Sequence, residues 1–401
     1  MNILLLVNKV PYPPNDGGAR ATLNLIKGLS HLGYHPDVLA MNTSKHPSLI
    51  EDFPEDIIGM ANFTLIPVDT RISWFGFLKN LLFSSLPYNL ERFHSESFTR
   101  TLERVLRKNE YPIIQLEGLA LAHYISVIRN NSAAKIVMRA HNVEYRVWER
   151  IVARQGLGLH KKYLSILAGR IKAYEIRNLS YYDALIPISS EDEKIFRSHG
   201  YTNPGFLAPF GLEPSFFHGK ILEPVSSSLF YIGALDWIPN QEGLTWFLSE
   251  VWTKIRAKIP DLTFHVAGRN APPRMVAYLQ QEGIDFKGEV PDAREFIEPK
   301  SIMVVPLFSG SGIRVKIIEG MGLGKTVITT SVGAEGINGT NGYHFVIADT
   351  AETFTNSLLE LLGKPELQRK FGENARQFVK ENFNNLVISQ NLDGFYKSIL
   401  K

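Results

Sequence analysis

PLFSGSGIRVKIIEGMGLGKTVITT, residues 306–330, closes on a Gly-Lys-Thr that many triphosphate-binding loops share. Such a loop needs Gly, four free positions and then Gly-Lys-Thr, and it must follow a strand and open a helix. Counting back from Gly324, the required glycine falls on Glu319. The order of elements is also reversed, because GIRVKIIEGM reads as a helix and TVITT as the strand after it. Gly322 or Gly324 is therefore expected to supply the left-handed cap that ends this helix. Working backwards, SIMVVPLF (301–308) reads as a buried strand, Ser309-Gly310-Ser311-Gly312 as a small turn, and the helix as starting near Ile313. A strand-turn-helix-strand unit belongs to a parallel sheet, and any nucleotide would meet this helix at its amino end.

The same unit recurs along the chain. Short apolar runs alternate with helix-length amphipathic stretches. The first half offers NILLLV (2–7), HPDVLAM (35–41), FTLIPV (63–68), PIIQLE (112–117), KIVMRA (135–140) and DALIPIS (183–189). The second offers SLFYIG (228–233), LTFHVAG (262–268), IDFKG (284–288), SIMVVPLF, TVITT (326–330) and YHFVIAD (343–349). Between them GFLAPFGLEPSFFHGKILEPVSSS (205–228) is rich in Pro, Gly and Ser and reads as a connection. The expected fold is α/β with two Rossmann-like, doubly wound parallel sheets facing a shared crevice. We place the first domain at 1–205 and the second at 206–383. A closing helix at about 384–401 is expected to pack back on the first, after a break near Phe383-Asn384-Asn385.

With 401 residues and 44% hydrophobic composition, the chain can bury two ordinary cores. No run approaches the about 18 consecutive apolar residues of a membrane span. MNILLLVNKV lacks the flanks of a signal peptide and reads as a buried strand. A cytoplasmic protein is expected. The absence of cysteine excludes disulfides, thiolate metal sites and a cysteine nucleophile. A net charge of +3 is too slight to indicate nucleic acid, and no basic, aromatic groove pattern stands out.

Chemistry is expected at strand ends. Gly17-Gly18 close a Pro-rich loop after the first strand and open a helix, where a backbone comes close to a phosphate or sugar. Arg314 and Lys316 fall in what the pattern predicts to be a first helical turn, where cations oppose the dipole unless an anion sits there. Glu319 lies farther along the same helix, placed to accept from ribose hydroxyls. In the first half His141, Asn142 and Glu144 cluster in one strand-to-helix turn, and Glu117 ends the neighbouring strand.

At these residues the chain resembles the family 4 retaining glycosyltransferases, which have the GT-B fold. The likeness is most specific in GSGIRVKIIEGMGLGKTVITTSVGAEGI, with support from YIGALDWIPNQEGLTWFL, RAHNVEYRVWER and the Gly17-Gly18 loop. The resemblance implies a nucleoside diphosphate sugar on the second domain, an acceptor on the first, and transfer with retention that needs no metal and no cofactor. It implies that His141 lies near the donor sugar and that Glu319 binds ribose. Gly288 and Val290 would lie against the base, and Gly233, Ser311, Gly312 and Ile313 would line the donor site. Two departures stand out: Ser311 replaces the first glutamate of the family's donor motif, and Ala234 and Pro239 replace an Arg and a Lys that grip the diphosphate. Arg314 and Lys316 are expected to take over that grip.

RISWFGFLKNLLFSSLPYNLERF (71–93) carries Trp74, Phe75, Phe77, Leu78, Leu81, Leu82 and Phe83 between Arg71, Lys79 and Arg92. It reads either as a helix buried between domains or as one that meets a membrane surface or a lipid-linked acceptor. A basic run from Arg146 through Arg150, Arg154, Lys161, Lys162, Arg170 and Lys172 to Arg177 fits a solvated helical face, or contact with a diphosphate-linked substrate or with an anionic membrane, the inner face of the cytoplasmic membrane being expected. The expected setting is assembly of a cell-surface polysaccharide on a glycan or lipid-linked acceptor. A sugar-nucleotide 2-epimerase and an inactive sugar-nucleotide-binding subunit are the alternatives.

Overall fold

The computed structural model describes residues 1–14, 17–44, 47–71, 73, 76, 79–80, 83–84, 86–153, 155–156, 158–217, 228–310 and 312–401, Leu159 by its backbone alone. Two compact units emerge, residues 1–211 together with 385–401, and residues 212–384. The first extends past the expected 205 because the N–H groups of Phe206 and Ala208 donate to the carbonyls of Leu185 and Pro187 at 3.0 and 3.1 Å. Those bonds continue the edge of the first sheet.

In the first unit β1 (Ile3–Val7), β2 (Asp37–Thr43), β3 (Asn62–Val68), β4 (Ile113–Glu117), β5 (Lys135–Ala140) and β6 (Ala184–Pro187) form one parallel sheet in the order β3-β2-β1-β4-β5-β6. All five residues of β1 are buried. Parallel strands covered on both faces read as unbroken apolar runs, which is why ILLLV is legible as a strand. Its period of two divides the core. Leu4 and Leu6 join Leu39, Ile114, Phe98 and Leu102 on one face, while Ile3, Leu5 and Val7 join Val38, Ile26 and Leu29 on the other. The second face is completed by Leu392 and Tyr396 of the closing helix, Asn385–Ile399. That helix lies against α1 (Gly17–His31), with Asn385 Nδ2 donating to the Asn24 carbonyl at 2.8 Å.

The second unit repeats the plan with β7 (Leu229–Ile232), β8 (Phe264–Ala267), β9 (Ile284–Phe286), β10 (Ile302–Val305), β11 (Thr326–Thr329) and β12 (Val346–Ile347), ordered β12-β11-β10-β7-β8-β9. Each of the twelve apolar runs therefore holds a strand. Leu229, Tyr231, Phe264, Val266, Ile302 and Val304 face a core shared with Phe247, Trp252 and Phe354. The helix expected from Ile313 starts two residues later, as Val315–Gly322. Gly310 and Gly312 hold positive φ values of 109° and 75°, and Arg314 keeps ψ at 89°, so the turn is longer than its sequence suggests. Of the two candidate caps, Gly324 has the left-handed φ of 72° and Gly322 lies within the helix.

The helix after β7, Ile238–Trp246, packs close to the end of β10 through Gly243. A Cβ at Gly243 would lie 1.6 Å from the Pro306 carbonyl oxygen. Gly243→Ala is expected to push this helix off the sheet and to lower stability by about 1–3 kcal/mol, read as an earlier urea midpoint. Among the described residues no helix is long and apolar enough to cross a membrane.

Candidate active site

In the second sheet the chain runs outward from β7 to β9 and then returns to the other side of β7 as β10. Loops after β7 and β10 therefore diverge, and that switch point, at the C-terminal strand ends, is where open parallel sheets bind ligands. The side chain of Lys316, on Val315–Gly322, reaches into it. Its Nζ donates to Asn240 Oδ1 at 2.8 Å and to the Tyr231 hydroxyl at 3.2 Å, and lies 4.4 Å from the Tyr231 ring centre. A Cβ added to Gly233, just past β7, would sit 3.1 Å from that Nζ. The absent side chain leaves the backbone open beside a cation.

Burial pulls the Lys316 ammonium down from 10.5 to about 7, and the Arg314 guanidinium adds to the fall. Tyr231 is driven upward by burial and stays a neutral phenol. A cation this depressed gains from any anion that joins it.

Arg314 takes a different place from the expected one. It stands at the N-cap rather than in the first turn, is buried, and donates from Nη1 to the Gly312 carbonyl at 2.6 Å. The guanidinium thus braces the turn. Trp237 also packs against the turn, since a Cβ on Gly310 would meet its ring at 2.9 Å and the Arg314 guanidinium at 3.1 Å. Ile313 and Gly312 are half-buried in the turn, and Glu319 is half-buried on the next turn of the helix. Ser311 lies outside the described residues. Gly288 follows β9 with φ of 67° and accepts from the Gly268 N–H at 2.7 Å, with Val290 half-buried beyond it. Gly233, Gly288, Val290 and the Gly310–Arg314 turn thus share the C-terminal edge of one sheet.

The first sheet has its own switch point, between β1 and β4. Glu117 ends β4 beside Arg139 of β5, its register partner. Both side chains are almost wholly buried, and Arg139 Nη1 lies 3.2 Å from Glu117 Oε2. The same oxygen faces His141 Nε2 at 3.0 Å and accepts from the Thr22 hydroxyl at 3.1 Å, while Gln115 Nε2 donates to Oε1 at 2.6 Å. The Tyr396 hydroxyl in turn donates to Gln115. Burial pushes the Glu117 carboxyl up, but the Arg139 charge and the His141 and Gln115 bonds outweigh it and hold it near 2. Glu117 is therefore a fixed anion. It orients His141 so that Nε2–H donates inward and Nδ1 is the ring nitrogen left for other work.

His141 is 18% exposed at its side chain. Asn142 bonds to the Glu144 carboxyl, which burial raises. The N–H groups of Glu144 and Tyr145, which open the helix Glu144–Ala153, both donate to the buried Glu175 carboxylate at 3.0 Å. Gly17 is exposed at the start of α1, with Gly18 half-buried beside it. Thus His141 and Glu117 come together, while Asn142 and Glu144 pair with each other. Sequence reasoning missed Gln115, Thr22, Arg139 and Asn240. Only Arg139 gave a signal, a charge inside an apolar strand that calls for a buried partner. Among the described residues no three His, Asp or Glu side chains converge as a metal-binding group.

Residues 226–364 match the family of glycosyl transferases group 1. Over 398 residues, covering 95% of this chain and 96% of the relative, the sequence is 22% identical to an uncharacterized 44.6 kDa protein in the cps region of Klebsiella pneumoniae. Among solved structures, sucrose-phosphate synthase from Thermosynechococcus elongatus superposes with a TM-score of 0.72 at 17% identity, over 100% of this chain and 99% of that one. Anabaena HepE, solved in complex with UDP, gives 0.70 at 12% identity over 99% and 100%. Both likenesses reach the whole fold.

Proposed function

We propose that this chain, which has the GT-B fold, is a group 1 glycosyltransferase that moves a sugar from a nucleoside diphosphate sugar to a glycan or lipid-linked acceptor with retention and without a metal ion. The observation that carries the reading is the Lys316 ammonium held above Gly233 at the switch point of the second sheet. A diphosphate there would meet a point charge and the amino end of a helix, the two elements that stabilise a departing phosphate as its charge builds. The acceptor oxygen then attacks on the face the diphosphate leaves, and that phosphate takes its proton. Arg314 supports the same charge through the turn it braces, and Glu319 receives the ribose. His141, held by Glu117, hydrogen-bonds a sugar hydroxyl rather than acting as a nucleophile.

The test is thermal shift against UDP-, GDP-, ADP- and dTDP-sugars. One base class is expected to raise the melting temperature, and a flat response to all four ends the reading. The diphosphate of such a donor keeps its charge across neutral pH, so affinity should follow Lys316. An ammonium that titrates near 7 when free and higher when paired takes up a proton on binding. Affinity is then full below pH 7 and falls by up to about tenfold per unit above it, measurable by calorimetry.

Assembly of a surface polysaccharide is the setting we favour, at the inner face of the membrane. Phe83 is 83% exposed, and Arg170 of the helix Leu159–Asn178 donates to the Asn80 carbonyl and amide oxygen, which brings the basic run beside the 71–93 stretch. Trp74, Phe75, Phe77, Leu78, Leu81, Leu82 and Arg154 lie outside the described residues. Flotation with anionic liposomes at low salt is expected to carry the protein upward, and a protein left at the bottom excludes the contact.

A further inference from the structure

We propose that Asn240 is a positioning residue for the diphosphate end of this site: its amide, locked in one orientation by the Ala234 carbonyl, fixes the Lys316 ammonium over Gly233. An amide has one accepting and one donating end. Asn240 Nδ2 donates to Ala234 O at 2.7 Å, and Oδ1 accepts from Lys316 Nζ at 2.8 Å. A carbonyl can only accept and an ammonium can only donate, so the flipped amide would face oxygen with oxygen and nitrogen with nitrogen. Asn240 is 3% exposed, where an unsatisfied amide is costly, and this orientation satisfies both ends. The other bond of Lys316, to the Tyr231 hydroxyl, is longer at 3.2 Å.

The holder is neutral, and that is its function. The charged groups on the neighbouring segments leave Lys316 to Asn240 and Tyr231. Arg314, on the same turn, binds Gly312 O and repels Lys316. Glu242, on Ile238–Trp246, accepts from the Ser309 hydroxyl at 3.1 Å. Asp236, after β7, accepts from Asn270 Nδ2 at 3.4 Å. Glu319 sits on the following turn of the helix. Among the described residues none of these carboxylates forms an ion pair with Lys316. An aspartate at position 240 would neutralise the ammonium before substrate arrived, whereas asparagine aims it and leaves the charge for the incoming phosphate.

This inference rests on the reading of Lys316 as the diphosphate cation, and its test separates the two. Lysine side-chain NMR on the protein alone, with the Lys316 signal identified by its loss in Lys316→Met, gives the titration midpoint. Asn240→Asp is expected to move that midpoint up by about 1–3 pH units, and to flatten the pH dependence of affinity for whichever of the UDP-, GDP-, ADP- or dTDP-sugars binds. Asn240→Ala is expected to weaken that affinity about 10- to 100-fold in a protein that still folds but melts lower, because the Ala234 carbonyl and the Lys316 ammonium each lose a partner. An unmoved midpoint in Asn240→Asp, or wild-type affinity in Asn240→Ala, overturns the proposal. If Asn240→Asp does not fold, the Asn240→Ala affinity decides alone. A shifted midpoint in a protein that binds none of the sugars would leave Asn240 as the holder of Lys316 and remove the donor reading instead.

Discussion

Lys316→Met is expected to lower transfer by about 10²- to 10³-fold in a protein that melts no lower than the parent at pH 7. The two halves of this result have one cause. Lys316 holds its proton less tightly in the folded chain, near 7 against 10.5 in the open chain. Between those values the unfolded state binds more protons, so folding works against the ammonium. Methionine has similar length and no charge to desolvate, and the relief of that penalty outweighs the donor that Asn240 Oδ1 loses. What it removes is the cation beside Gly233 to which the proposed function assigns the diphosphate, so on that proposal binding and stabilisation of the departing charge are expected to fall together. Steady-state transfer and a thermal melt on one preparation check both halves. A variant that keeps its turnover would place the diphosphate elsewhere.

Glu117→Ala is expected to cost about 3–5 kcal/mol of stability, because it strands the Arg139 guanidinium inside the first sheet, where its bond to the Ala21 carbonyl at 3.1 Å does not neutralise the charge. The damage comes from the charge left behind rather than from the bond lost. Glu117→Ala with Arg139→Leu should therefore recover much of the stability, since replacing both buried ions by apolar groups is often close to neutral. Turnover should stay low in the double variant, where His141 has no carboxylate to orient it. Urea unfolding and activity, measured on the single and double variants, separate support of the sheet from support of the imidazole. The pair also sets an acid limit. The Glu117 carboxyl titrates near 2 when folded and 4.5 when not, so its stabilisation is complete above about pH 4.5 and fades as the pH drops towards 2.

The sheets were legible because their strands are buried on both faces. ILLLV, IMVV and TVIT carry no alternation to confuse with a surface strand, and the intervening stretches carry a helical period. β12 was the weakest case: YHFVIAD promised a long strand, but only Val346 and Ile347 pair with β11. Candidate residues at strand ends were legible for the same reason, since a strand end is easy to locate. Their directions were not. Nothing in the spacing of Arg314 and Lys316 shows that one guanidinium folds back on its own turn while the neighbouring ammonium crosses to Tyr231 and Asn240. That difference depends on two glycines with positive φ and on the placement of β7 beside β10, which a single sequence does not reveal. Likewise Glu117 and Arg139 could be seen as charges in apolar strands, but the register that makes them partners could not.

The closing helix imposes an order on synthesis. Asn385–Ile399 supplies Leu392 and Tyr396 to the first unit, yet the ribosome reaches it only after all of Leu212–Asn384 has been made. Until then the face of the amino-terminal unit to which α1 gives Ile26 and Leu29 lacks Leu392 and Tyr396, so the unit translated first is the last to be finished.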